Sequence, residues 1–110
     1  MAKENEELTA KVFQLAEMIG YQDGAVVSRT LISKQNGTVT AFAFDKEQYL
    51  SEHTAPFDAM VQVLDGEVEV SIAKKPHRLK AGEMIIMPAN LPHALKALSQ
   101  FKMLLTMVKS

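Results

Sequence analysis

The sequence predicts an all-β fold, and three observations carry that prediction. From Ala25 onward apolar and polar residues alternate with a period of two, as in strands with one buried face. The alternating segments are short and recur roughly every 8–12 residues, the spacing of a sandwich or barrel. They are rich in β-branched and aromatic residues and are separated by turn formers.

Taken in order, residues 1–7 are polar and expected to fray. Leu8, Val12, Leu15, Ala16 and Ile19 then recur at helical spacing, with Asn5 as a cap and Gly20 as a stop. The same stretch also reads as an extended arm over Val12–Leu15 with a single turn after it, and the sequence leaves both readings of 8–19 open. AVVSRTLIS and TVTAFAF flank Asn36–Gly37, a hairpin signal because both residues tolerate positive φ. QYLSEH, the turn TAPF and AMVQVLDG follow. EVEVSIA comes next, with Glu67 and Glu69 alternating outward as a solvated face. Lys74–Pro76 interrupts the ladder, and HRLK leads into the Ala81–Gly82 turn. EMIIMPA, PHALKAL and FKMLLTMV complete a set of roughly eight to ten strands. No linker, repeat or low-complexity tract divides the chain, so residues 1–110 read as one domain.

Composition narrows the function classes. Of the 110 residues 47% are apolar, which is ordinary for a globular protein. The absence of cysteine excludes disulfides, thiolate metal sites and a cysteine nucleophile. Twelve basic residues face thirteen acidic ones, interspersed, with no basic stripe to neutralise a phosphate backbone; nucleic acid is not an expected partner. No apolar run approaches the ~20 residues of a membrane span, and MAKENEELTAK is polar with no apolar stretch behind it. A cytoplasmic location without membrane contact is expected. Neither a glycine-rich phosphate loop nor a nucleophile-elbow serine is present.

Two segments are more specific than strand counting. EQYLSEHTAPFDAMVQVLDG, residues 47–66, and GEMIIMPANLPHALKA, residues 82–97, resemble the first and second motifs of the cupin family. His53 and Ala55 fall on the two histidines of the first motif, Ala59 on its glutamate and Gly66 on its closing glycine. Gly82, Pro88 and His93 match the second motif, which is the more specific of the two. The resemblance implies a jelly-roll barrel of two antiparallel sheets, here with a short N-terminal helical segment. Gly66 and Gly82 suit turns where positive φ is cheap only for glycine, and Pro88 stiffens a bend. Asn90 replaces a family glycine and is the next-best residue in the left-handed region. Glu47 and Ala97 replace the opening glycine and the closing asparagine, without threat to the fold.

In metal-binding cupins the ligands are the two histidines and glutamate of the first motif plus the histidine of the second. Only His53 and His93 remain here; Ala55 and Ala59 stand as methyl groups at the other two positions. Asp58 is one residue out of register, Glu52 fails by the same parity, and His77 reads as an exposed turn residue. Two ligands fall short of the three or four that hold an ion stably. Three readings of His53 and His93 follow. They are partly buried structural histidines, ligands of a weakly bound divalent transition metal completed by water or substrate, or acid–base groups.

The alanines also enlarge the cavity and make its wall apolar, with Val61 and Val63 of the same parity extending it. A ligand pocket of His53, His93, Ala55, Ala59 and Val61 is therefore expected to take a small molecule. The opposing expectation is that Phe42, Phe44, Met84 or Met87 fill the space. Met84, Met87, Met103 and Met107 read as core fillers. AMVQVL is apolar on both faces except at Gln62, which implies a covering layer; the resemblance favours a homodimer. The preferred function is small-molecule binding. A metal-dependent enzyme of oxygenase or isomerase type and a sealed structural barrel are the alternatives.

Overall fold

The computed structural model describes residues 8–109, so the expectation of a frayed 1–7 lies outside it. A single 3-10 turn, Leu15–Glu17, precedes nine strands. These are β1 (Val26–Lys34), β2 (Gly37–Phe44), β3 (Tyr49–His53), β4 (Asp58–Asp65) and β5 (Glu67–Ile72). The series ends with β6 (Lys75–Lys80), β7 (Met84–Met87), β8 (His93–Ala97) and β9 (Phe101–Val108). They form two antiparallel sheets, one in the order β1-β2-β9-β4-β7 and the other in the order β3-β8-β5-β6, the expected jelly roll.

Alternation builds the core between the sheets. In β4, Ala59, Val61 and Val63 are buried; in β5, Val68 and Val70; in β9, Phe101 and Met103. Phe44 packs on Phe101 with ring centroids 4.8 Å apart. Burying such side chains stabilises the fold by roughly 1.5–3 kcal/mol each.

The turns show which residues the geometry required. Gly66 has φ +76°, and a Cβ there would lie 1.9 Å from the Gln100 carbonyl oxygen, so no side chain fits. Gly82, φ +92°, and Asn90, φ 69°, are also left-handed, as expected of them. Glu47 is left-handed too, with φ 72°, so the family's glycine there had a conformational reason. The hairpin at Asn36–Gly37 forms, but not for the expected reason. Its loop is Gln35–Asn36, and neither these residues nor Gly37 has positive φ. Gly37 serves close approach instead, because a Cβ would sit 2.8 Å from the Met107 carbonyl oxygen on the neighbouring strand.

Lys74–Pro76 does not interrupt the ladder. The turn is Ala73–Lys74, both with positive φ, and Lys75 and Pro76 already belong to β6. Proline is tolerated because β6 is an edge strand, where one row of amides has no partner to lose. His77 is accordingly a half-buried strand residue opposite Val70, not an exposed turn residue.

Between residues 8 and 19 the extended arm with one turn is what forms. A helix is stabilised by the face it buries, and Val12, in the middle of the apolar stripe, is 100% exposed. Ile19 alone goes fully under, onto Ala41 and Ala43, whose small side chains leave room for it. Tyr21 donates to Asp65 Oδ2 (2.5 Å), Lys102 to the Ala16 carbonyl (2.5 Å) and Arg29 to the Met18 carbonyl (3.1 Å). These bonds strap the arm across the outer face of the five-stranded sheet. Burial and the Asp65 carboxylate together push the Tyr21 phenol far up from its ordinary value. Among the described residues no helix is long and apolar enough to cross a membrane.

Candidate functional site

The two histidines stand opposite one another on neighbouring strands, His53 at the end of β3 and His93 at the start of β8. A register irregularity between Leu50 and His53 turns both of those residues toward the same cavity, which strict alternation would forbid. Their rings meet edge to face, with centroids 4.3 Å apart, and the two Nε2 atoms lie 3.1 Å from each other. His93 is 5% exposed, whereas His53 is open to solvent on its outer side. The pair therefore forms the mouth of the cavity and not its floor.

Backbone carbonyls orient both rings. His53 Nδ1 lies 2.8 Å from the Ser51 carbonyl oxygen and His93 Nδ1 lies 3.3 Å from that of Leu91. A carbonyl only accepts, so the 2.8 Å contact makes His53 Nδ1 a donor and leaves its Nε2 an acceptor in the neutral ring. A neutral His93 has one ring proton, and its two acceptors in reach are the Leu91 carbonyl at 3.3 Å and His53 Nε2 at 3.1 Å. Burial, and next the His53 ring, hold His93 below the ordinary histidine pKa, against the opposing pull of the Leu91 carbonyl. The neutral form is favoured.

Behind the histidines is a cavity of about 180 Å³. Leu50, Ala55, Phe57 and Ala59 line one part of it, and Met87, Leu95, Met103, Leu105 and Met107 the rest. Ala55 and Ala59 contribute wall. Val61 does not: it is fully buried one layer deeper, in the core, because the lining on β4 ends at Ala59. Met87, Met103 and Met107 narrow the space, while Phe42 and Phe44 stay out of it. Met84 is no core filler; it is 47% exposed on the outer face of β7.

The neighbouring carboxylates are engaged elsewhere. Asp58 Oδ1 accepts from the Ala89 amide at 2.8 Å, and Glu52 pairs with Lys74 outside the barrel. Asp58 thereby has a positioning role that sequence parity missed: it holds the loop before β8. The Asn90 amide donates to the Ala55 carbonyl at 2.7 Å from the other side of the same loop. Among the described residues no three His, Cys, Asp or Glu side chains gather as a metal site. Leu95, Leu105 and Met107 were detectable by alternation along β8 and β9. Leu50 was not, because the register irregularity between Leu50 and His53 puts residues of opposite parity on one cavity, whereas Phe57, just before β4, shares the parity of Ala59.

A larger groove of about 410 Å³ lies between the N-terminal arm and β1, lined by Leu8, Phe13, Met18, Leu31 and Ile32 among others. Its lining is mostly apolar, with Thr9 and Lys34 as the polar members, and it holds neither histidine.

The family model described as "Cupin domain" matches residues 42–109. A conserved protein of unknown function from Streptococcus pyogenes is 40% identical, with a TM-score of 0.88 over 92% of this chain and 89% of that one. A cupin 2 conserved barrel domain protein from Leptotrichia buccalis is 46% identical, with a TM-score of 0.86 over 88% of this chain. The match covers 47% of that protein, so the chain spans about half its length. A cupin superfamily protein from Desulfitobacterium hafniense, 23% identical, shares the fold at a TM-score of 0.87 over 92% of this chain and 93% of that one. No curated protein matches.

Proposed function

The chain belongs to the cupin domain family, and from that premise we propose that it binds a small molecule between its sheets, with His53 and His93 as the polar anchors. The observation that carries this reading is the pair of Nε2 atoms, 3.1 Å apart, at the mouth of an otherwise apolar cavity of about 180 Å³. Apolar walls supply affinity and a few converging polar atoms fix orientation, which is the usual division of labour in small-molecule sites.

A resident metal does not fit these residues. The positions that would complete its ligand set carry the methyl groups of Ala55 and Ala59, and Asp58 is held by a backbone amide. One observation favours a second reading, an ion completed by water or ligand. Two nitrogens 3.1 Å apart would subtend roughly 95–100° at an ion bound at ~2.0–2.1 Å, an acceptable cis angle.

Metal analysis and ligand mapping on the same preparation distinguish the two. Protein purified without chelators is expected to carry no stoichiometric transition metal. Single-ring fragments are expected to shift the NMR signals of His53, Ala59 and Leu95. One metal per chain, lost in His93→Ala, would replace the first reading with the second. Shifts confined to the arm groove would end both.

The proposal includes a second copy of the chain. On the outer face of the five-stranded sheet the arm packs on Ala41, Ala43 and Leu104, while Met84 and Ile86 of β7, opposite Gln62 and Met60 of β4, are about half exposed among the described residues. That patch has no charged side chain, so the same surface on two copies can meet without repulsion.

A further inference from the structure

The groove between the N-terminal arm and β1 is a second concavity, separate from the histidines. Its volume of about 410 Å³ lies within the usual span of small-molecule sites, roughly 300–1,000 Å³. The wall formed by the arm is fixed in place. Arg29 donates to the Met18 carbonyl, Lys102 to that of Ala16 and Tyr21 to the Asp65 carboxylate. On the sheet side Leu31 and Ile32 both line the groove although they are consecutive, because β1 shifts register between Thr30 and Ile32.

Polarity is distributed unevenly along this trough. Met18, tied to Arg29, marks one end along β1. Lys34, the last residue of the strand, marks the other, roughly 15 Å away at the rise of a strand. Most of the remaining wall is apolar. Phe13 and Ile32 belong to it and are still 46% and 47% exposed, so neither the arm nor the sheet buries them. Lys34 is the one charged side chain in the lining, and it makes no ion pair among the described residues.

A long apolar trough with a single cation at one end complements an alkyl chain that ends in an anion. A second copy meeting this face across a two-fold axis would bring another Lys34 and no carboxylate from the lining. We infer that the groove binds a single-chain carboxylate amphiphile, its chain against Phe13, Leu31 and Ile32 and its head at the Lys34 ammonium. The site is independent of the histidine pair, and either reading can fail without the other.

Decanoate, hexanoate and decyltrimethylammonium, each below micelle formation, separate the chain from the charge. Binding to the full chain is read from the amide shifts of Thr9, Leu31 and Lys34, with Ala59 and Leu95 reporting the histidine cavity. Decanoate is expected to move the first set and not the second. It is expected to bind about tenfold more tightly than hexanoate, since each methylene taken fully from water is worth up to about fourfold. Over the cation of equal chain length the advantage is expected to be about fivefold, the upper end for an exposed ion pair. In Lys34→Glu, a change at an exposed position, that preference is expected to reverse.

A wild type that binds the cation, or hexanoate, as tightly as decanoate overturns the inference. So does a preference for decanoate over the cation that survives in Lys34→Glu. If decanoate moves only the amides of the histidine cavity, or none, the groove is not its site and the inference falls. Groove amides that shift with protein concentration and not with decanoate make a second copy the occupant, which overturns it too.

Discussion

His93 shows how a single residue turns burial into pH dependence. Its pKa lies below that of an unfolded histidine, about 6.5, chiefly because burial disfavours the charged ring and next because His53 adjoins it. Above pH ~6.5 the ring is neutral in both the folded and unfolded chain, and its contribution to stability is complete. As the pH falls through 6.5, the unfolded chain takes up a proton that the folded chain resists, so stability declines until the folded value is passed. The melting temperature is expected to drop between pH 8 and pH 5 more steeply in the wild type than in His93→Gln. A domain this size moves by roughly 4–8 °C per kcal/mol, so a fraction of that is measurable. Parallel curves for the two proteins would show that His93 contributes nothing. The residue itself was legible in the sequence, and so was Asn90 in its left-handed turn. Its partner's outward exposure was not, since solvent access at His53 depends on where β3 ends.

Among the elements, the β5–β6 hairpin carries the clearest strain. Ala73 and Lys74 both have positive φ, 50° and 67°, a type I′ pattern that favours asparagine and glycine. An L-residue other than glycine or asparagine pays roughly 1 kcal/mol or more for each such conformation. Ala73→Asn with Lys74→Gly is therefore expected to stabilise the protein by about 1–2 kcal/mol, read as a rise in the urea midpoint at unchanged slope. The Lys74–Glu52 pair lost in the process is exposed, at 80% and 42% for the two side chains, and contributes little. An unaltered or lower midpoint would show the turn to be unstrained. This turn escaped the sequence reading because nothing in AKKP carries a glycine or asparagine signal. Pro76 drew attention as a breaker, and only the position of β6 at a sheet edge makes it harmless.

At the scale of the whole molecule, the proposed second copy rests on the half-exposed apolar side chains of β7. Ile86 is 55% exposed and Met84 47%, and they stand opposite Met60 and Gln62 on the neighbouring strand. Light scattering on the purified protein at micromolar concentration is expected to report a dimer, and Met60→Glu with Ile86→Glu a monomer of undiminished fold. A wild type that is monomeric under those conditions removes the second copy from the proposal.

What the sequence determined by itself was whatever depends on local chemistry and period. The strand alternation, the left-handed Gly66, Gly82 and Asn90, the family motifs, and the replacement of two ligand positions by Ala55 and Ala59 were all readable in the chain. Tertiary structure decided what depends on groups far apart in sequence. The Nε2 separation, the contacts of the two rings with the Ser51 and Leu91 carbonyls, the diversion of Asp58 to an amide and the depth of Val61 belong to that class. The physical reason is that alternation tells which way a side chain leaves its strand, whereas pairing, bulges and packing between sheets decide what it meets there.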